Sequence, residues 1–267
     1  MVATILLSSY ELLAFPGSNY RRHFKGAKSL VEALGAHQSS DRMTRVSFWI
    51  YVRHEVGEAM NIECKTMQDP KIWPKALLSE TPIANEDIYC NDALRLCGEV
   101  VCFIFGSDVR RQGKKWAKEW SGLQQDLDDW LRESPKVLAG NEYMDNGSRR
   151  FWFPRFAFAS ALCYYHVSRV FLFLHQPRAT LQTPDQPINA DEKVQYHARE
   201  LIDIALSGMP DSVLVTMVQP MYHAARWVND PSRREEVIAL LEQIQGKTGF
   251  HTESKVLILK SLRVLSS

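Results

Sequence analysis

Apolar positions recur at steps of three and four residues along most of this 267-residue chain, which is the period of an α-helix. Glycine, proline and capping residues divide this pattern into segments. No segment alternates convincingly with period two, as a half-buried strand would. We therefore predict an all-α protein, a single helical domain of about nine to ten helices. The predicted helices cover residues 2–14, 20–34, 42–62, 85–105, 112–132, 154–175, 192–207, 213–228, 231–245 and 253–264.

Three proline-containing segments, 64–83, 134–150 and 178–189, interrupt the helical pattern and are predicted to be loops. The segments keep apolar or aromatic anchors such as Trp73 and Tyr143, so we expect connections within one body rather than flexible linkers. At the N-terminus the apolar run is short and follows no basic residues, which favours a first helix over a targeting signal.

The most apolar stretch, residues 151–177, nevertheless contains Arg155, His166, Ser168 and Arg169. A membrane-spanning helix needs about 20 mostly uncharged apolar residues, so two internal arginines argue against that assignment. A helix that is apolar around most of its circumference is typical of the centre of a helical body. We predict that this segment is the central helix and that the protein does not enter a membrane.

Composition narrows the possible partners and compartment. The net charge is +1, from 32 basic and 31 acidic side chains, so the chain as a whole has no positive field for nucleic acid. Its five cysteines form no C-x-x-C pair, and their odd number is a poor disulfide framework. These features favour a reducing compartment, the nucleus or the cytoplasm.

Four side chains are candidates for an internal polar site: His166 and Arg169, which share a face of the central helix, and Arg53 and Glu55 on the third predicted helix. Charged groups inside a core need partners, because desolvation is costly. Two interpretations remain open: a polar lining for a ligand pocket, or a structural network that ties the central helix to an acidic residue such as Glu55.

A second hypothesis starts from the segment DLDDWLRE, whose acids Asp128, Asp129 and Glu133 have the spacing that holds magnesium in helical enzymes acting on prenyl diphosphates. Downstream, Asn229, Ser232 and Glu236 follow the order of a second magnesium motif. Their steps are three and four residues, however, and Pro231 falls among them, so a new helix capped by Asp230 explains that segment better. The alternating Leu127 and Trp130 make the first segment typical of an amphipathic outer helix.

Other catalytic and cofactor motifs are missing from the sequence. It contains no H-x-x-x-H pair, no G-x-S-x-G motif and no glycine-rich phosphate loop. Short basic clusters lie at helix ends or in loops, where solvated surface is the simplest interpretation. We predict no catalytic residue, no cofactor and no resident metal, and an enzyme is the less favoured class.

Several segments, in order, resemble the fungal-specific transcription factor domain. His23, Gly26 and Ala27 match its H-x-x-G-A element, and residues 154–177 are similar to its central helix with a Tyr-His pair and a terminal His-x-Pro. The other similar segments are SSYELLAF, FWIYVRHEVGEAM, CNDALRLCGEVVCFIFG, WAKEWSGLQQDLDDWLRESP and QPMYHAARWVNDPSRREEVIALLEQIQGKTGFHTE.

The resemblance implies a helical regulatory domain of a zinc-cluster transcription factor, covering residues 1–267 and located in the nucleus. Members of that family usually carry an N-terminal six-cysteine zinc cluster that binds DNA, and none is found in this sequence. We therefore expect an N-terminally truncated regulatory domain that does not bind DNA directly. The partners implied are other transcription-regulatory proteins or a small effector, with a homodimer or heterodimer possible, including a scaffold that dimerises with a full-length factor.

Overall fold

The computed structural model describes residues 1–14, 21–75, 86–106, 113–177 and 190–264. Over these residues the protein is all-α apart from one small hairpin, as predicted. The elements are α1 (Val2–Ala14), α2 (Arg21–Ala33), α3 (Arg42–Asn61), α4 (Glu86–Phe105), α5 (Lys114–Glu133), β1 (Asn141–Asp145), β2 (Ser148–Trp152), α6 (Phe156–Leu174), α7 (Ala190–Ala205), α8 (Asp211–Trp227), α9 (Pro231–Thr248) and α10 (Glu253–Val264).

Helix α6 lies at the centre of the fold and packs against α4, α5, α7 and α8. It is long and apolar enough to cross a membrane, but 83% of its most apolar window is buried inside the protein. The two apolar faces that surround it come from α4 and α7, which contribute residues such as Leu94, Val101, Ala198 and Leu201. The prediction that residues 151–177 contain the central helix is confirmed.

Local signals set several helix ends where the sequence predicted them. The Asp41 carboxylate accepts a hydrogen bond from the Thr44 backbone nitrogen at 2.7 Å and begins α3. Asp230 caps α9 in the same way, with Pro231 in the first turn. The predicted end of α9 at residue 245 is wrong, because the helix continues to Thr248 and ends at Gly249, which has the left-handed conformation at φ 76°. Pro16 and Gly17, which by sequence would stop the first helix, and Asn19, which would cap the second, lie outside the described residues.

The segment predicted as the loop 134–150 instead contains most of an antiparallel hairpin, in which β1 pairs with β2 from Asn141 opposite Trp152 to Asp145 opposite Ser148. Asn146 and Gly147 form its two-residue turn with φ values of 49° and 78°, the conformation that this dipeptide favours. The hairpin contacts α7, because Arg149 on β2 donates to the Glu200 carboxylate at 2.7 Å. Just after α7, Ser207 Oγ accepts from the Phe151 nitrogen at 2.8 Å. Tyr143, expected as an anchor, lies exposed on β1.

The connection between α3 and α4 is fixed to the core as far as residue 75. The Trp73 side chain is 1% exposed and lies against Gly98 in the middle of α4. A Cβ atom at Gly98 would come within 2.7 Å of the Trp73 ring, so only glycine leaves room for it. The Trp73 indole nitrogen donates to Gln68 Oε1 at 3.3 Å. The predicted anchoring role of Trp73 is confirmed.

Candidate functional site

Arg169 is a buried cation that joins α6 to α5. Its guanidinium donates hydrogen bonds to Gln124 Oε1 and to the carboxylate of Asp128, both on α5. It also donates to the Tyr165 hydroxyl at 3.3 Å. The Arg169 side chain is 6% exposed and that of Asp128 is 57% exposed, so this ion pair runs from the interior to the surface. The acidic partner of the central helix is therefore Asp128 rather than Glu55.

His166, also on α6, pairs with His197 on α7. The two Nδ1 atoms lie 2.9 Å apart, so one nitrogen must carry a hydrogen while the other accepts it. Burial lowers the pKa of His166 well below its usual range, and the nearby His197 and Arg169 act in the same direction. Burial, followed by the charge of Arg169, lowers the pKa of His197 to about 3. The pair is consequently neutral at physiological pH.

The side chains of Arg169 and His197 open onto a cleft between α5, α6 and α7, with a volume of about 600 Å³. This size is in the range of small-molecule sites. The walls of the cleft combine aromatic rings with polar groups. The aromatic residues are Trp120, Tyr165, Phe173, Tyr196 and His197, and the polar ones are Ser121, Gln124, Gln125, Asp128, Arg169, Gln176, Glu192 and Lys193.

Charges in the cleft balance one another. Arg169 and Lys193 supply two positive charges, and Asp128 and Glu192 supply two negative ones. The Lys193 ammonium lies 5.0 Å from the centre of the Phe173 ring, a cation–π distance. A cleft of this kind offers no excess charge to an ionic ligand but several flat apolar surfaces.

Gln124 leaves one donor of the cleft unused. Its side chain is 8% exposed, and its oxygen accepts from Arg169. Its Nε2 atom is buried without a hydrogen-bond partner among the described residues. A buried donor that lacks an acceptor costs about 1–3 kcal/mol. The wall of the cleft therefore contains a covered hydrogen-bond donor for which an oxygen acceptor would be favourable.

Glu55, on α3, lies away from this cleft and holds the connection after α3. Its carboxylate accepts from the Gln68 backbone nitrogen at 2.6 Å, and burial raises its pKa. Its second oxygen has no hydrogen-bond partner within the described part of the chain. Glu55 thus fixes the segment that carries Trp73 and does not share a pocket with His166 or Arg169.

Arg53, two residues before Glu55, lines a different concavity, a groove of about 930 Å³. This basic groove lies between the turn at Ala36–Gln38, the first half of α3, residues 74–75 and the start of α4. Its lining residues are Ala36, His37, Gln38, Ser39, Arg42, Arg45, Val46, Phe48, Trp49, Ile50, Arg53, Pro74, Lys75, Asp87, Ile88 and Asn91. The four candidate residues are therefore distributed over three places in the fold.

The acidic residues of the magnesium hypothesis have basic partners. Asp128 pairs with Arg169. Asp129 lies 2.6 Å from Arg132, which is 3.7 Å from Glu133. Among the described residues, no group of three or more histidine, cysteine or carboxylate side chains is placed to hold a metal ion. These contacts add no support to the magnesium hypothesis.

The sequence did not point to Gln124, Tyr196 or His197. Their positions on amphipathic helices were visible, but nothing in a single sequence indicates that residue 197 meets residue 166 or that residue 124 meets residue 169. The one local signal is a polar residue on the apolar face of a helix. His197 has this position, because it lies on the same face of α7 as the buried Val194, Ala198 and Leu201.

Comparison with known proteins gives one distant relationship. The chain is similar to the transcription activator AMTR1 of Alternaria alternata, with 23% identity over 96% of this chain and 43% of the activator. The chain thus spans less than half the length of this curated relative. No protein-family model matches the chain, and no solved structure matches it. The chain is distantly related to a fungal transcription activator.

Proposed function

We propose that this protein is a nuclear transcription regulator of the fungal zinc-cluster type, and that the helical body described here is its regulatory domain. Two observations support the proposal: the relationship to a transcription activator extends over nearly the whole chain, and the ordered segments resemble the fungal-specific transcription factor domain. In this proposal the domain receives a signal from a small molecule and passes it to the transcription machinery through other regulatory proteins.

The observation that carries the effector part of the proposal is the cleft around Arg169. Gln124 Nε2 is buried and unpaired among the described residues, at the wall of a cleft of about 600 Å³. A buried donor without an acceptor is costly, so a ligand oxygen bound to it would be stabilising. The nitrogen is covered in this structure, so a ligand oxygen reaches it only when a neighbouring side chain moves aside.

The chemistry of the cleft favours a neutral, flat, conjugated molecule with a carbonyl oxygen. Balanced charges disfavour an ion, whose desolvation would not be compensated. Trp120 and Tyr165 make the wall of the cleft aromatic, and Tyr196, which is 55% exposed, provides an accessible stacking surface. The carbonyl oxygen would accept from Gln124 Nε2.

Thermal unfolding with three related probes tests the ligand class. Xanthone is neutral, planar and carries a carbonyl; xanthene lacks the carbonyl; xanthone carboxylate carries a charge. We expect xanthone to raise the Tm more than either of the others, because it alone satisfies the donor and remains neutral. Equal shifts with all three probes, or none with xanthone, would contradict the proposed ligand class.

Two variants locate the binding. Gln124→Glu keeps an acceptor for Arg169 and removes the donor, so xanthone should bind about tenfold more weakly. Tyr196→Ala removes a ring that is 55% exposed and should also weaken binding, whereas Tyr143→Ala removes a ring on the hairpin that is 45% exposed. Tyr143→Ala is the matched control and should leave xanthone affinity unchanged.

A reporter assay tests the transcriptional role independently. The chain is fused to a heterologous DNA-binding domain in yeast, and expression of a reporter under the matching promoter is measured. We expect the fusion to change reporter expression relative to the DNA-binding domain alone. If the purified chain is folded and the fusion has no effect in either direction, the regulatory role is wrong.

A further inference from the structure

The basic groove concentrates positive charge on one side of a protein whose net charge is only +1. Four permanent cations line it, Arg42, Arg45, Arg53 and Lys75, and Asp87 is the single carboxylate among the lining residues. His37 adds a fifth basic side chain. Charges of one sign around a concave surface reinforce one another and attract an oppositely charged partner.

Among the described residues, the cations of the groove have no carboxylate within ion-pair distance. Arg95, Arg149, Arg169 and Arg233 each lie within 4.0 Å of a carboxylate. Arg42, Arg45, Arg53 and Lys75 make no such contact with any residue in the described ranges. Because like charges repel, an unpaired cluster lowers stability slightly, and a partner that brings negative charge would remove that cost.

The floor of the groove is apolar. Val46 is 49% exposed, Trp49 and Ile50 are half-buried, and Trp49 packs edge-on against the buried Phe48 at 5.3 Å between ring centroids. The helical spacing explains the mixture, since Arg42, Arg45, Trp49 and Arg53 follow one another at steps of three and four along α3. A ligand that contacts this surface needs apolar groups as well as negative charge.

We propose that the basic groove is the docking site for an acidic peptide segment of a partner protein, in which Asp or Glu alternates with large apolar residues. Carboxylates would pair with Arg42, Arg45 and Arg53, while apolar side chains would pack on Trp49 and Ile50. Duplex DNA fits less well, because its sugar–phosphate backbone carries no large apolar side chains that could pack on Val46, Trp49 and Ile50. This proposal does not depend on the cleft around Arg169 or on its ligand.

Fluorescence anisotropy with labelled synthetic ligands tests the proposal on the full chain. The probes are an acidic peptide with alternating Asp or Glu and Leu or Phe, the same peptide with its apolar residues replaced by serine, and a short duplex DNA. We expect the acidic–apolar peptide to bind, and the serine peptide to bind about tenfold more weakly. Its affinity should also decrease between about 50 mM and 300 mM salt, because exposed charges are screened.

A pair of charge-reversal variants identifies the surface. Arg42→Glu with Arg45→Glu changes the first turn of α3, where acidic residues suit the helix dipole and folding should be retained. Lys114→Glu with Lys115→Glu makes the same change of charge in the exposed first turn of α5. We expect the first variant to weaken peptide binding by about tenfold or more, and the second by less than about twofold.

Three outcomes would overturn the proposal, once circular dichroism shows that both variants are folded. The first is the absence of saturable binding of the acidic–apolar peptide to the wild-type chain, even at low salt. The second is an equal loss of binding in both double variants, which would show a general charge effect. The third is tighter binding of duplex DNA than of the peptide, with this affinity lost in the α3 variant, which would make the groove a nucleic-acid site.

Discussion

The two concave surfaces of this protein use charge in opposite ways. In the cleft between α5, α6 and α7, Arg169 is buried and fully engaged by Gln124, Asp128 and Tyr165. In the basic groove, Arg42 and Arg45 are exposed. Neither has an ion-pair partner among the described residues. A charge that is paired inside the protein stabilises the fold, so a ligand of the cleft would be recognised by shape and neutral groups. Charges without such a pair are available to a partner of opposite charge.

The sharpest test of this difference removes one arginine from each surface. Arg169→Met should lower the free energy of unfolding by about 2–3 kcal/mol, because Gln124 and Tyr165 lose their donor inside the core and the packing around α5 changes. Arg45→Met should change it by about 0.5 kcal/mol or less, as for most exposed positions. Urea denaturation measures both. If Arg169→Met were as mild as Arg45→Met, the cleft arginine would not be a structural element.

The histidine pair gives the cleft a pH dependence. The pKa of His197 is lowered to about 3 in the folded state, and an unfolded histidine has a pKa of about 6.5. Stability from this residue is therefore complete above about pH 6.5 and decreases as the pH falls towards 3, because the unfolded state binds the proton first.

His197→Phe should make the dependence of unfolding free energy on pH shallower by up to about 1.4 kcal/mol per pH unit in that window. Urea denaturation at several pH values measures the slope. His37→Gln, in the basic groove, is the control for removing a histidine. If His197→Phe left the slope of unfolding free energy against pH unchanged, the interpretation that His166 and His197 are neutral in the folded state would be wrong.

The smallest expected effect concerns the repulsion within the basic groove. Arg42→Glu should raise the free energy of unfolding by about 0.3–0.5 kcal/mol at low salt, from relief of repulsion together with the dipole of α3. Lys114→Glu, also at the first residue of its helix, gains from the dipole of α5 but is not in the groove. The difference between the two variants in urea measures the repulsion and should vanish at high salt. A loss of stability in Arg42→Glu would contradict the repulsion within the groove.

The sequence was sufficient for the helices but not for the hairpin. Periodicity and caps located α3 and α9, since Asp41 and Asp230 act through residues two or three positions away. The hairpin gives little periodic signal, because β1 and β2 are each five residues long. β1 is exposed throughout, so it has no alternating apolar face that would predict a strand. The turn of the hairpin, Asn146-Gly147, was nevertheless a local signal for a two-residue hairpin.

The candidate site was predictable only in part, because its contacts join distant positions. Periodicity predicts that Arg169 lies in the central helix, and the cost of desolvation predicts that it has a partner. No local pattern identifies that partner as Asp128, which is 41 residues away in the chain. The basic groove has a clearer local signal in the sequence, because Arg42, Arg45, Trp49 and Arg53 follow one another at helical spacing and lie on one face of α3. Lys75 and Asp87 join that face only through the fold.

The contact between Trp73 and Gly98 has a mechanical consequence. The Trp73 indole, packed against Gly98, ties the segment that follows α3 to α4, although most of that segment is irregular. Lys75, two residues further along, lines the basic groove. A partner that binds there would therefore contact a segment anchored to α4, which packs directly on α6.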